Sequence, residues 1–338
     1  MNFDFTDDQH AIKRTAREFL ADRFKAERLR ALAEAGEYDD AVWSEMSELG
    51  WPGIFVPEEN GGQGLGVVEL MIVMEELGYA LAPSPFLSNA AAGLALLHAG
   101  SDDQRSRWLP GIASGEARGA AGVVSNGSAL VPDAEGAEVI VLLDPNGSST
   151  VVAGSSASVE SVDSIDSTRR FARVQAGDGE PLSDDPGFAL AAAAVAISAE
   201  LVGVAQRAME MAVEYAKDRK QFGRPIGSYQ AVSHRCAQML LEVEGARSTT
   251  YFAGWTADNE PETLPLAASM AKAAASDAGW SVTASSLQVH GGIGFTWEHD
   301  LHFFLKRAKV DGHLFGSAAE HRDRVAGLAG LEAAAQPA

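Results

Sequence analysis

Apolar residues recur at helical spacing from residue 3 to residue 35, and Thr6-Asp7-Asp8-Gln9 near the front offers an N-cap and a capping box. A second helical unit is predicted over 39–49, ended by Gly50. The stretch WPGIFVPEENGGQGLGVVE breaks the period with two prolines and five glycines, and helix resumes through MIVMEELGYAL. Pro83 and Pro85 stop it, and further helices are predicted over 87–99 and 102–114. Between about 118 and 185 the pattern changes to short β-favouring runs, EVIVLLD, STVVAG and RRFARVQ, separated by Gly, Ser, Asp and Asn turns. Helix returns near 187 with GFALAAAAVAISAELVGVAQRAMEMAVEYAKDR, followed by 228–257, 263–289 and a shorter 316–330. Long helices on short connections predict a four-helix bundle. The expected fold is therefore α+β, mostly α: a helical domain over 1–116, a reduced β domain over 117–186 and a C-terminal helical bundle over 187–338.

Composition narrows the function classes. The 338 residues are 46% apolar and 22% charged, as in an ordinary globular protein. The net charge of −21, from 47 acids against 26 bases, argues against nucleic acid or an anionic membrane surface as the main partner. With Cys236 as the single cysteine, no intramolecular disulfide and no zinc cluster can form. The start lacks the basic residues and apolar run of a signal peptide, and the Ala-rich run from Phe188 is broken by Ser198 and Glu200. A cytoplasmic location is expected.

Two stretches carry candidate chemistry. QVHGGIGFTWEHD, residues 288–300, has three glycines in four positions. That is either a plain turn or a place where backbone N–H groups approach a bulky anion. In DRKQFGRPIGSYQ, Arg219 and Phe222 are three apart and are predicted to share a helix face before Gly223 and Pro225 end the helix. Alone, they read as an arginine on the helix dipole and a core phenylalanine. Together with Gln288, Gly291, Gly292 and Gly294 they supply a guanidinium, bare amides and a neutral amide side chain, the parts needed for a dinucleotide pyrophosphate and its adenine.

With these elements the chain resembles an acyl-CoA dehydrogenase over nearly its whole length. Arg219-Lys-Gln-Phe222-Gly223 with Ile226 and Gln230 is similar to that family's RxxFG…Q element, and Gln288-x-x-Gly291-Gly292-x-Gly294-Phe295 with Glu298 to its QxxGGxGF…E element. VPEENGGQGLG (56–66) and EELGYALAPSPF resemble its N-terminal domain. The resemblance implies FAD, with Arg219, Phe222, Gln230, Gln288, Gly291 and Gly292 reaching across a dimer interface to its pyrophosphate and adenine. It further implies α,β-dehydrogenation of an acyl-CoA, a carboxylate that removes the α-proton, and an electron-transfer flavoprotein as electron acceptor.

The sequence departs from the family where that carboxylate should be. Aligning KRAKVDGHLFGSAAEHR on the family pattern puts Phe315 at the usual base, ahead of Gly316 and Ser317. The alternative location, near the start of the first C-terminal helix, falls on Ala193 or a neighbour, in a run with no carboxylate. A TEPxxGSD-like loop and a WITN-like strand are missing from the β module, and Arg307 stands where the family usually has Asp. The pattern resembles the smaller, base-less subunits of bacterial α2β2 acyl-CoA dehydrogenases of steroid side-chain degradation, in which a larger partner supplies the base and flavin pocket. Two alternatives remain: a homodimeric enzyme using Asp311, His313 or Glu320 as base, and a flavin-free structural subunit. His290, Glu298 and His299 read as residues that pin the turn. Cys236 reads as a small core residue, since His234, two positions away, points to another helix face.

Overall fold

The structure is a computed structural model that describes residues 4–331 apart from 146, 176 and 178. The predicted helix start at residue 3 and residues 332–338 of the predicted bundle lie outside the described residues. Thr6 caps the first helix as its sequence suggests: its hydroxyl accepts from the Gln9 amide at 3.2 Å, and the Gln9 side chain accepts from the Thr6 amide at 2.9 Å. The single helix expected over 3–35 is two, α1 (Asp7–Arg23) and α2 (Ala26–Ala35). The break lies at Phe24, buried in the main core with Leu20, whereas Leu29 and Ala33 beyond it join a second core.

Helices α3 (Asp40–Glu48), α4 (Val67–Ala80), α5 (Phe86–Ala99) and α6 (Asp102–Ser114) complete the N-terminal layer. The β module holds β1 (Gly119–Ser125), β2 (Ser128–Pro132), β3 (Val139–Leu143), β4 (Thr150–Ala153), β5 (Val159–Val162), β6 (Phe171–Gln175) and β7 (Glu180–Pro181). They form one sheet in the order β5-β6-β2-β1-β3-β4-β7, with β1 and β3 parallel and Gly119 opposite Val139. Alternation sorts β3 between two cores: Ile140 and Leu142 pack within the module, while Val139, Val141 and Leu143 face the helical core.

The C-terminal part consists of α7 (Gly187–Asp218), a two-stranded hairpin of β8 (Lys220–Gln221) and β9 (Arg224–Pro225), α8 (Gln230–Asn259), α9 (Leu264–His290), α10 (Leu301–Asp311) and α11 (Ala318–Leu328). Helix α7 is long and apolar because it is a core helix: 83% of its most apolar window is buried inside the protein. It crosses α4 backbone to backbone, since a Cβ on Gly203 would lie 2.0 Å from the Glu75 carbonyl oxygen. Helix α10 was not expected from the sequence. Its inward face includes Arg307 and Asp311, both buried, and two charged residues hide an amphipathic period.

Candidate active site and nucleotide-holding elements

Helix α7 stops one residue before Arg219. That residue is extended (φ −69°, ψ 122°), its N–H bonds the Tyr215 carbonyl at 2.8 Å, and its carbonyl accepts from Ile226 at 2.8 Å. Arg219 and Phe222 therefore do not share a helix face, contrary to the sequence expectation. Both stand on the hairpin, whose turn places Phe222 at φ +51° and Gly223 at φ +80°. The Tyr229 hydroxyl donates to the Gln221 carbonyl at 3.2 Å, and the Arg224 guanidinium lies 4.0 Å from the Tyr229 ring centre. Phe222 is 93% exposed. Arg219, Lys220 and Arg224 are exposed too, a cationic finger on an acidic protein.

At the end of α9, Gln288 is exposed and the chain passes into a 3-10 turn, Gly291–Phe295. The glycines have separate reasons. Gly291 has φ +62° and ψ −138°, a conformation open almost only to glycine. A Cβ on Gly294 would sit 3.0 Å from the His290 Cβ and 3.2 Å from the Leu287 carbonyl oxygen. Gly292 answers to neither cause: its φ is not positive, and an added Cβ would meet nothing within 4 Å. Among the described residues nothing requires glycine there, and the open space leaves its main-chain amide approachable from outside.

The two elements meet. Tyr215, one turn before Arg219, stacks on His290 with ring centres 4.6 Å apart at 27°, and His290 lies 4.5 Å from His299. Burial lowers the pKa of both histidines, which favours neutral rings that can pack closely, stacked for Tyr215–His290 and tilted at 58° for His290–His299. A small core of Ala212, Ala216, Met239, Val243, Val282 and Val289 holds the ends of α7 and α9 to the start of α8, whose first residue is the exposed Gln230. All six candidate cofactor residues thus lie at one end of the bundle. Cys236 is half-buried against the same core, and burial pushes its thiol up.

The expected base position is apolar and tightly built. Phe315 is buried, at φ +56°, in the same core as Ala193. The buried Lys272 ammonium donates to the Asp311 and Gly312 carbonyls, each at 3.1 Å, and to Ser276 Oγ at 2.9 Å. His321 Nε2 donates to the Phe315 carbonyl at 2.9 Å. Burial brings Lys272 down to about 8 and His321 down to about 4. Of the substitute bases, Glu320 is engaged as the N3 residue of α11, accepting from the Ser317 amide at 2.7 Å. His313 is exposed. Asp311 is fully buried, 3.7 Å from Arg169, and burial pushes its carboxyl up to about 8.

Arg307, the charge reversal, proves to be the centre of a buried ion cluster. Its Nε donates to Asp166 at 2.7 Å, its Nη1 to Glu200, and its Nη2 to the Thr168 carbonyl at 2.9 Å and hydroxyl at 2.6 Å. Arg169 donates to the same Glu200 oxygen at 2.6 Å. The cluster was missed from sequence because its carboxylates, Asp166 and Glu200, come from a turn and from mid-helix, and no local pattern joins them to residue 307. Arg30 was missed as well. From α2 it donates to the carbonyls of Trp297 (2.6 Å) and Glu298 (3.1 Å) and to Asp300 (2.5 Å), immediately after the glycine turn.

A cationic finger, a neutral amide and an open glycine turn at one end of the bundle fit the pyrophosphate and adenine half of FAD. The chain belongs to the acyl-CoA dehydrogenase family, oxidoreductases that are flavoproteins. The family description "Acyl-CoA dehydrogenase, C-terminal domain" matches residues 187–328, and "Acyl-CoA dehydrogenase, N-terminal domain" matches 6–116. Within the family, the chain is 38% identical over 291 residues to the acyl-CoA dehydrogenase IpdE2 of Mycobacterium tuberculosis, covering 86% of this chain and 87% of that protein. Among solved structures, the Tcur3481-Tcur3483 steroid ACAD, in a variant form, superposes with a TM-score of 0.86 at 27% identity, over 96% of this chain and 98% of its own. The ChsE4-ChsE5 complex from Mycobacterium tuberculosis gives 0.86 at 26% identity, over 99% and 100%.

Proposed function

We propose that this chain is the base-less subunit of a heteromeric, FAD-dependent acyl-CoA dehydrogenase, in which a larger partner supplies the catalytic glutamate. The observation that carries the reading is a contrast within one chain. The elements suited to a dinucleotide tail are outward-facing and unused by internal packing, whereas the base position is a buried phenylalanine. Arg219 would pair with the pyrophosphate and Gln288 would hydrogen-bond the adenine edge. Gly291 and Gly292 would let main-chain amides come close, while Phe222 and Gln230 would flank the nucleotide. When bound, FAD supplies a hydride acceptor for α,β-dehydrogenation of an acyl-CoA. The reading extends to a steroid-derived acyl chain, because the Tcur3481-Tcur3483 relative is described as a steroid ACAD. An electron-transfer flavoprotein as oxidant and a cytoplasmic setting complete it.

The test is co-purification with the partner. The complex should be yellow, with about one FAD per pair of chains, and mass spectrometry should find two different subunits. Arg219→Ala should weaken FAD binding by at least about tenfold, the loss expected from one charge-assisted pair. A complex that keeps its flavin in full after that change would sink the pyrophosphate role. A flavin-bearing assembly of this chain alone, bleached by acyl-CoA under anaerobic conditions, would sink the base-less role.

A further inference from the structure

We propose that Arg30 is a positioning residue that presets the glycine turn from the opposite end of the sequence. The inference deepens the FAD reading above and rests on it. A guanidinium offers its N–H groups in a fixed planar fork. Here that fork gathers two main-chain carbonyls, Trp297 and Glu298, and the Asp300 carboxylate, all within 3.1 Å. These acceptors lie in the segment joining the turn Gly291–Phe295 to α10, and Arg30 belongs to α2 of the N-terminal layer. The turn is thus gripped from two sides. On one, His299 lies against His290, which stacks on Tyr215 at the foot of the hairpin. On the other, Arg30 holds the carbonyls that follow.

Such a grip has a physical purpose in a segment with three glycines. Ordering backbone residues costs conformational entropy, and a turn already fixed before binding spares the ligand that cost. Removing the fork frees the segment after the turn and so loosens the turn itself from that side. The amides offered at Gly291 and Gly292 then have to be ordered by the ligand itself.

The experiment uses Arg30→Ala, Arg30→Lys and Arg219→Ala. Amide hydrogen exchange over 291–300 is followed in the full chain without FAD, and FAD affinity is measured in the complex. Arg30→Ala is expected to speed exchange in that segment at least tenfold, leave the rest of the chain unchanged and weaken FAD about tenfold. Arg30→Lys, with a point charge in place of the fork, should recover only part of either effect. Unchanged exchange over 291–300 in Arg30→Ala overturns the grip. Faster exchange with unaltered FAD affinity, while Arg219→Ala still weakens FAD, overturns the positioning role alone. If Arg219→Ala also leaves FAD affinity unaltered, the FAD reading fails and this inference falls with it.

Discussion

At Asp311 a carboxyl group sits where no solvent reaches it, and neither oxygen has a hydrogen-bond partner among the described residues. Burial outweighs the pull of Arg169 and Arg307, so the folded chain keeps the proton up to about pH 8, whereas an unfolded chain releases it near the ordinary value of 3.8. Between those values the folded state binds more protons, so this residue's contribution to stability falls as pH rises and levels off above about 8. Asp311→Asn, a neutral isostere, removes that slope. The melting temperature of the variant minus that of the parent should therefore grow from pH 5 to pH 8.5, by at least about 2 °C. A constant difference across that range would show that Asp311 is ionised throughout. The same variant bears on Asp311 as a base, because its burial beside Arg169 leaves it no exposed face.

Among the elements, the glycine turn separates internal from external demands. Gly292→Ala should leave the stability of the isolated chain within about 0.5 kcal/mol, since the new methyl group meets nothing within 4 Å. The same change should weaken FAD binding in the complex severalfold, as measured by flavin release on dilution. Gly294→Ala should behave in the opposite way and lower the melting point of the chain alone, because His290 and Leu287 crowd the site. Much of this level was legible beforehand. The cap at Thr6, the strands carrying EVIVLLD, STVVAG and RRFARVQ, and the three long helices after residue 187 all stand where periodicity and turn residues put them. Three readings were not legible, for distinct reasons. The division of α1 from α2 depends on which core each side chain enters, which is a tertiary matter. Helix α10 was masked by charged residues whose partners lie far away in the sequence. The hairpin at 220–225 looked like a helix end because a three-residue spacing carries no sign of the left-handed turn at Phe222.

At the scale of the whole molecule, the buried ion cluster joins three parts of the chain: the β5–β6 connection through Asp166, Thr168 and Arg169, the middle of α7 through Glu200, and α10 through Arg307. A buried pair of this kind contributes little net stability when intact, but removing one member strands the others in a low-dielectric interior. Arg307→Leu should cost about 3–5 kcal/mol, read as a lower urea or thermal midpoint, because Asp166 loses its guanidinium and Glu200 keeps only Arg169. A near-neutral outcome would mean that water or protonation already satisfies these carboxylates. The cluster also accounts physically for the reversed charge at position 307, which has no explanation along the sequence.

The hairpin has one more consequence, for supply. A benzene ring bared at the tip of a two-stranded finger, as Phe222 is, with Phe295 and Trp297 also largely uncovered, offers apolar surface for something to cap. In the assembly proposed, that cap is a second polypeptide. Surplus copies of this chain would therefore be sticky, and a cell would do best to make the two chains in matched amounts.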